Sequence, residues 1–180
     1  MDNFHEEIVS RKQVGLYNTL YILFTLLMVV CGMMAAAGVF ALVNLDPNTL
    51  IGAVITAVVF GGLTVFLFWK KDSFKAEYEY AFTNGFTEIA VVYNNSRRKE
   101  LLSFKMKDVS MIEPLENAKF AELKKTQGVK YINASLNAGA QKYFLFIERA
   151  DEKFLLVVEP SEELVALMKQ YATKILLRNA

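Results

Sequence analysis

Hydrophobic and polar positions divide this chain into an apolar N-terminal part and a mixed remainder. From Leu16 to Trp69 the single charged residue is Asp46, next to Pro47 in a short polar turn. The two apolar spans, about 17–43 and 50–69, are each long enough to cross the roughly 30 Å hydrocarbon core of a bilayer as a helix. A charge at the centre of such a span costs roughly 2.5–3.5 kcal/mol. The pattern therefore predicts a transmembrane helical hairpin over residues 16–71.

Beyond Lys71 the apolar positions recur with a period of two, which is typical of half-buried strands. Asn84-Gly85 separates two such runs and is a strong signal for a two-residue hairpin turn. Another strand follows the turn at 94–96, and further strands are predicted near 110–113 and 130–134. The apolar runs YFLFIE and KFLLVVE then predict a late hairpin that turns at Asp151.

The chain ends in a predicted amphipathic helix opened by Pro160 and Ser161. Its first turn is acidic, which favours the positive end of the helix dipole. One face carries apolar side chains at Leu164, Leu167, Met168, Tyr171 and Ile175. Residues 72–180 are thus predicted to form an α+β domain: a bent antiparallel sheet or open barrel of about seven strands, capped by the C-terminal helix.

Two segments of this domain resemble bacterial pleckstrin-homology-like (PH-like) domains: EYEYAFTNG at the first turn and EPSEELVALMKQY at the last helix. Taken with the two preceding spans, the chain resembles a family of uncharacterised bacterial membrane proteins that place a PH-like domain after two transmembrane helices. The resemblance implies the fold and a bacterial origin. It implies no activity and no functional residue.

Cations flank the predicted hairpin and are missing from its turn. Arg11 and Lys12 precede the first span, Lys70 and Lys71 follow the second, and 44–48 contains no positive residue. This distribution predicts a two-span protein of the cell membrane with both termini cytoplasmic. Residues 1–15 would then be a cytoplasmic leader and 72–180 a cytoplasmic domain. The alternative is a signal peptide cleaved after the alanines at 35–37, although the apolar run continues to Val43.

Small residues spaced by four suggest how the hairpin packs. Ala53, Ala57 and Gly61 form a seam along the second span, where a neighbouring helix can approach closely. The first span is the expected neighbour, and a homodimer through this seam is the alternative. Tyr21, Phe68 and Trp69 fall at the ends of the spans, where aromatic side chains favour the membrane interface.

Composition argues against several kinds of chemistry. The chain is 54% hydrophobic and 22% charged with a net charge of +1, which gives no support to nucleic-acid binding. Cys31 is the sole cysteine, so no intramolecular disulfide or cysteine metal cluster is expected. The single histidine, His5, is expected in a mobile leader without a second ligand. Phosphate-loop, dinucleotide, nucleophile-elbow and zinc-helix motifs are missing, so no catalytic, cofactor or metal site is predicted.

The resulting hypothesis is a non-enzymatic, membrane-anchored interaction or scaffold module. Its expected partners are the lipid bilayer and a membrane or cytoplasmic protein. A second hypothesis is a peripheral sensor of anionic lipid headgroups that uses Arg97, Arg98 and Lys99 after the second turn. The first hairpin loop, where eukaryotic PH domains carry basic residues, has none here. A third hypothesis is an enzyme whose site residues only the fold brings together.

Overall fold

The computed structural model describes residues 3–43, 49–149 and 152–179, with side chains of the last helix as far as Ala172. The predicted turns at Asp46-Pro47 and Asp151 lie outside the described residues. The chain forms two compact units: the hairpin unit, Gln13–Ala76, and the β domain, Met1–Lys12 with Glu77–Ala180.

The hairpin unit consists of two long helices and a short 3₁₀ turn. Helix α1 spans Val14–Val43, α2 spans Leu50–Lys71, and the 3₁₀ turn spans Asp72–Lys75. The helices occur where the two apolar spans predicted them. Both are long and apolar enough to cross a membrane. Their large apolar side chains are mostly exposed, as at Phe40 (70%) and Ile51 (74%), which is unusual for core helices of a soluble protein.

Close packing between α1 and α2 uses part of the predicted seam. A Cβ atom added to Gly38 would lie 2.7 Å from the Ala57 backbone nitrogen and 3.1 Å from the Ala53 carbonyl oxygen. Small residues therefore allow the two backbones to touch at this level. Gly61 has open space at its Cβ position, so the seam does not extend to it. The next close approach is Gly32, whose Cβ would lie 3.8 Å from Thr64.

Within the described residues, the β domain contains two four-stranded sheets, two α-helices and a short 3₁₀ helix at Met106–Asp108. The first sheet has the order β1-β2-β3-β4, and the second has the order β5-β7-β8-β6. The strands are β1 (Phe4–Val9), β2 (Ala76–Thr83), β3 (Phe86–Tyr93), β4 (Arg97–Lys105), β5 (Val109–Pro114), β6 (Val129–Ala134), β7 (Tyr143–Arg149) and β8 (Glu152–Val158), and the helices are α3 (Lys119–Lys125) and α4 (Glu162–Asn179). The sheets do not close into a barrel, and the strands predicted near 110–113 and 130–134 are confirmed as β5 and β6.

Strand β1 lies in the segment that was predicted to be a mobile leader, so that prediction for His5 is wrong. Residues 4–9 pair antiparallel with β2, from Phe4 opposite Thr83 to Val9 opposite Tyr78. The burial pattern is the reverse of the usual one, because Phe4 and Ile8 are exposed while alternate residues are half-buried. Two of the three inward residues, His5 and Glu7, are polar and only Val9 packs on the core, so the strand has no ordinary amphipathic pattern and was not predicted.

Local turn chemistry is as predicted, but one strand pair is not antiparallel. Asn84 and Gly85 have φ values of +49° and +86°, the positive values that a two-residue type I′ hairpin turn requires. Strand β6, however, pairs in parallel with β8. Strand β7 pairs antiparallel with β8. Strand β8 therefore has β7 antiparallel on one side and β6 parallel on the other.

Two apolar clusters stabilise the β domain. The larger one packs both sheets against α4 and includes Phe82, Phe104, Leu156, Leu164 and Met168. The smaller one covers the opposite face of β7 and β8, with Phe120 and Leu123 of α3 packed on it. Strands β7 and β8 are therefore buried on both faces, which accounts for their continuous apolar runs. Helix α3 was not predicted, because seven residues are too few for a clear helical period.

Candidate functional site

Polar side chains from β1 and from distant loops meet at the start of α4. Ser161 caps the helix, since its Oγ accepts a hydrogen bond from the Leu164 backbone N–H at 3.2 Å. The Ser161 N–H donates to the two carboxylate oxygens of Glu7 at 3.0 and 3.2 Å. His5 Nε2 lies 3.5 Å from Glu7 Oε2. The inward polar face of β1 thus supplies an anion to the positive end of the helix.

A second polar group, the Asn137 clasp, consists of Ser10, Lys12, Asn137 and Glu159. The Asn137 amide accepts a hydrogen bond from the Lys12 N–H at 2.8 Å and donates to the Ser10 carbonyl at 3.0 Å. It also donates to Glu159 Oε1 at 2.7 Å. Glu159 Oε2 accepts hydrogen bonds from the Leu136 and Asn137 N–H groups at 3.2 and 3.0 Å. The clasp fixes the end of the leader to the loop between β6 and β7.

Tyr80 lies beneath the clasp and is buried. Its hydroxyl donates to the Ala134 carbonyl and accepts from the Glu159 N–H at 3.1 Å. Burial raises the pKa of the Tyr80 phenol, and the nearby carboxylates of Glu159 and Glu7 raise it further, against a lowering effect of the Glu159 backbone hydrogen bond. The neutral phenol therefore connects β2, β6 and the residue that precedes α4.

A cleft of about 370 Å³ opens beside these groups. It is lined by β1, by the loop at 139–141 and by the segment 159–161. Its two carboxylates, Glu7 and Glu159, already accept backbone N–H hydrogen bonds, so they hold the fold together. Within the described residues, no group of three or more His, Cys, Asp or Glu side chains is arranged to hold a metal ion. None of the residues of the clasp was identified from the sequence.

The candidate lipid contacts Arg97, Arg98 and Lys99 are the first three residues of β4, which is an edge strand, and all three are exposed. The pleat directs Arg98 to the opposite face from Arg97 and Lys99. Arg98 donates hydrogen bonds from Nε to Glu79 and from Nη2 to Glu88, both at 2.7 Å. These hydrogen bonds, Glu79 first, raise the pKa of the Arg98 guanidinium. The three cations therefore do not converge, and Arg98 is already paired with two carboxylates.

A further cluster lies in the hairpin unit at the end of α2. This lysine–aromatic band consists of Tyr21, Phe68, Trp69, Lys70, Lys71 and Lys75. The Lys75 ammonium lies 4.0 Å from the centre of the Tyr21 ring, and the Lys71 ammonium lies 5.2 Å from the same ring. The sequence pattern identified the aromatic members but not Lys75, because only the 3₁₀ turn brings this lysine back to α1.

The β domain is of the PH-like class: two sheets packed on a C-terminal helix, with the first sheet interrupted in the chain by a helical hairpin. Residues 1–178 match the model of the family described as "Bacterial PH-like domain (DUF6106)", and the chain belongs to this family. The resemblance to an uncharacterised bacterial PH-like family is thereby confirmed. No curated protein and no solved structure matched the chain.

Proposed function

We propose that this protein is a membrane-anchored interaction module without enzymatic activity. The α1–α2 hairpin would cross the cell membrane twice, and the β domain would lie at its cytoplasmic face. The observation that supports this most strongly is that β1 and β2, the strands on either side of the hairpin in the chain, pair with each other.

The pairing of β1 and β2 restricts the topology. Val9 lies shortly before α1 and Tyr78 shortly after α2, and the two residues are opposite each other in one sheet. Since a sheet cannot continue through a bilayer, both ends of the hairpin belong on the same side of any membrane that it crosses. Cleavage after the alanines at 35–37 would remove β1 from the sheet, so the strand pairing argues against a signal peptide.

The cations on both flanks support the cytoplasmic side. Arg11 and Lys12 precede α1, and Lys70, Lys71 and Lys75 lie at the end of α2 or just after it. An excess of Lys and Arg near the ends of spans is typical of the cytoplasmic face. A domain held there by two chain connections has a raised effective concentration towards other membrane proteins, so weak contacts suffice for binding.

Topology is tested by cysteine labelling in intact cells. In a Cys31→Ala background, a cysteine at Asp46 is expected to react with a membrane-impermeant maleimide from outside, whereas one at Ser96 reacts only after permeabilisation. Labelling of Ser96→Cys in intact cells would contradict the proposed orientation. Recovery of the full-length chain in the supernatant after lysis without detergent would contradict membrane insertion itself.

The interaction role is tested by crosslinking in native membranes followed by mass spectrometry. We expect one reproducible protein neighbour, crosslinked through lysines of the β domain. As a control, the hairpin is exchanged for an unrelated two-span hairpin of the same topology, and the neighbour should be retained if the β domain recognises it. The absence of any reproducible neighbour across replicate membranes would count against a scaffold role.

Sensing of anionic lipids through Arg97, Arg98 and Lys99 is the second candidate. The exposure of Arg97 and Lys99 supports it, whereas the pairing of Arg98 with Glu79 and Glu88 weakens it. This hypothesis expects less anionic lipid to copurify with the full chain when Arg97 and Lys99 are both changed to Gln. An unchanged lipid content would remove it.

A further inference from the structure

We propose that the lysine–aromatic band at the end of α2 binds the phosphate groups of anionic phospholipids. The proposal rests on the membrane insertion proposed above and assigns the lipid contact to the hairpin instead of to the turn at Arg97. The partner is an anionic lipid headgroup of the cytoplasmic leaflet, recognised by ammonium groups that stand beside interfacial aromatic rings.

The geometry places two of the three lysines of the band against the same aromatic ring. Lys71 and Lys75 both lie against the Tyr21 ring, and Lys71 is also 5.2 Å from the centre of the Phe68 ring. The 3₁₀ turn that carries Lys75 is held to α1 by an edge-to-face contact between Phe74 and Phe24, with ring centres 4.7 Å apart. Because these contacts hold Lys71 and Lys75 before a ligand arrives, binding loses less side-chain entropy at these two residues.

Charge balance favours this band over the turn at Arg97. The band and its 3₁₀ turn carry three lysines, and the carboxylate paired with them is Asp72, 3.1 Å from Lys71. At the start of β4, by contrast, Arg98 forms ion pairs with Glu79 and Glu88, and a further carboxylate, Glu100, comes directly after Lys99. A lysine near an anionic leaflet contributes about a fivefold preference, so the residual positive charge of the band is sufficient for measurable selectivity.

The exposed aromatic residues indicate the depth at which the band lies. Trp69 is 64% exposed and Phe68 is 51% exposed, directly before Lys70. Tryptophan next to lysine is typical of the headgroup level of a bilayer, where the ring meets the acyl boundary and the ammonium meets phosphate.

The chain offers a local probe, because Trp69 is its only tryptophan. The full-length protein is placed in nanodiscs that contain phosphatidylcholine and phosphatidylglycerol, and one lipid at a time carries brominated acyl chains. We expect brominated phosphatidylglycerol to quench Trp69 several-fold more effectively than brominated phosphatidylcholine at equal mole fraction. The preference should fall as salt is raised, because the charges are near the surface.

Two triple variants with the same charge change separate the candidate sites. Lys70→Gln/Lys71→Gln/Lys75→Gln should abolish the preference, while Arg97→Gln/Arg98→Gln/Lys99→Gln should retain it. Lys70→Arg/Lys71→Arg/Lys75→Arg changes the same three positions but keeps their charge, and it should also retain the preference, which separates the loss of charge from a disturbance of the structure. The reverse pattern, or equal quenching by both lipids in the unaltered protein, would overturn the proposal. If neither brominated lipid quenches Trp69, the insertion of the hairpin is wrong as well.

Discussion

The Asn137 clasp provides a quantitative test of whether the leader belongs to the β domain. Asn137→Ala removes three hydrogen bonds: one from the Lys12 N–H, one to the Ser10 carbonyl and one to Glu159 Oε1. The first two hold the segment between β1 and α1. Without them, β1 keeps its ladder with β2 but loses the attachment at its end.

The expected loss follows from the type and exposure of these bonds. A neutral hydrogen bond contributes about 0.5–1.5 kcal/mol and one to a charged group about 1.5–3 kcal/mol. The hydrogen bonds to Ser10 and Lys12 lie at exposed positions, so water can form hydrogen bonds with the freed groups and recover part of the lost free energy. We therefore expect the free energy of local opening of β1 to fall by about 2 kcal/mol, which corresponds to roughly 30-fold faster amide exchange.

Hydrogen exchange of the full-length protein in nanodiscs, followed by mass spectrometry, measures this directly on peptides that cover residues 4–9. Asn133→Ala is the matched control, because the Asn133 side chain near the end of β6 accepts hydrogen bonds only from Ser135, two residues further along the chain, among the hydrogen bonds described for it. The control should leave β1 exchange within about twofold. Unchanged β1 exchange in Asn137→Ala would refute the reasoning, and so would equal acceleration in β7 and β8, since the effect would then be global.

Three further predictions concern the turn at Gly85, the phenol of Tyr80 and the packing of α1 on α2. Gly85→Ala should lower the free energy of unfolding of the β domain by about 1–3 kcal/mol, measured by urea-dependent pulse proteolysis, because Gly85 has φ +86° and an added Cβ would lie 2.9 Å from the Tyr171 ring. An unchanged urea midpoint of unfolding would contradict this. Tyr80→Phe should lower the free energy of unfolding by about 1–3 kcal/mol at pH 7, since it removes the hydroxyl that bonds a buried carbonyl, that of Ala134, and a half-buried N–H, that of Glu159. The pKa of Tyr80 is raised above 10.0, so the unfolded chain ionises first and the native protein loses stability as pH rises above about 10. In Tyr80→Phe the alkaline part of this pH profile should be shallower, and an equally steep profile would contradict the assignment. Gly38→Leu should separate α1 from α2, because its Cβ would meet the Ala57 backbone, and the separation is measured as a longer distance between spin labels on the two helices. Gly52→Leu is the control, because a Cβ at Gly52 has open space. Equal distances in both variants would contradict the packing.

Features that depend on neighbouring residues were predictable from the sequence. The hairpin helices follow from the absence of charge over two long spans, and the β2–β3 turn follows from Asn84-Gly85. The start of α4 follows from Ser161, whose hydroxyl caps the helix as expected. In each case one physical preference, for hydrocarbon, for positive φ or for an N-cap oxygen, acts within a few residues of the chain.

Features that depend on distant residues were not predictable in this way. The clasp joins Ser10, Asn137 and Glu159, which no spacing rule connects. Strand β1 presents Phe4 and Ile8 outwards, so its pattern indicated neither a core strand nor a partner. The parallel placement of β6 beside β8 depends on which edge of the sheet is vacant, and that is decided by packing across the whole domain.

The position of the hairpin in the chain links its packing to the stability of the first sheet. Strand β1 precedes the hairpin and β2 follows it, so their pairing closes a loop that contains the whole hairpin unit. The entropy of closing a loop depends on how far its ends can separate. When Gly38 packs on Ala57, α1 and α2 form an antiparallel pair that keeps those ends close, and β1 then pairs at a smaller entropic cost. A change that separates the two helices should therefore also loosen β1, although β1 lies outside the hairpin unit.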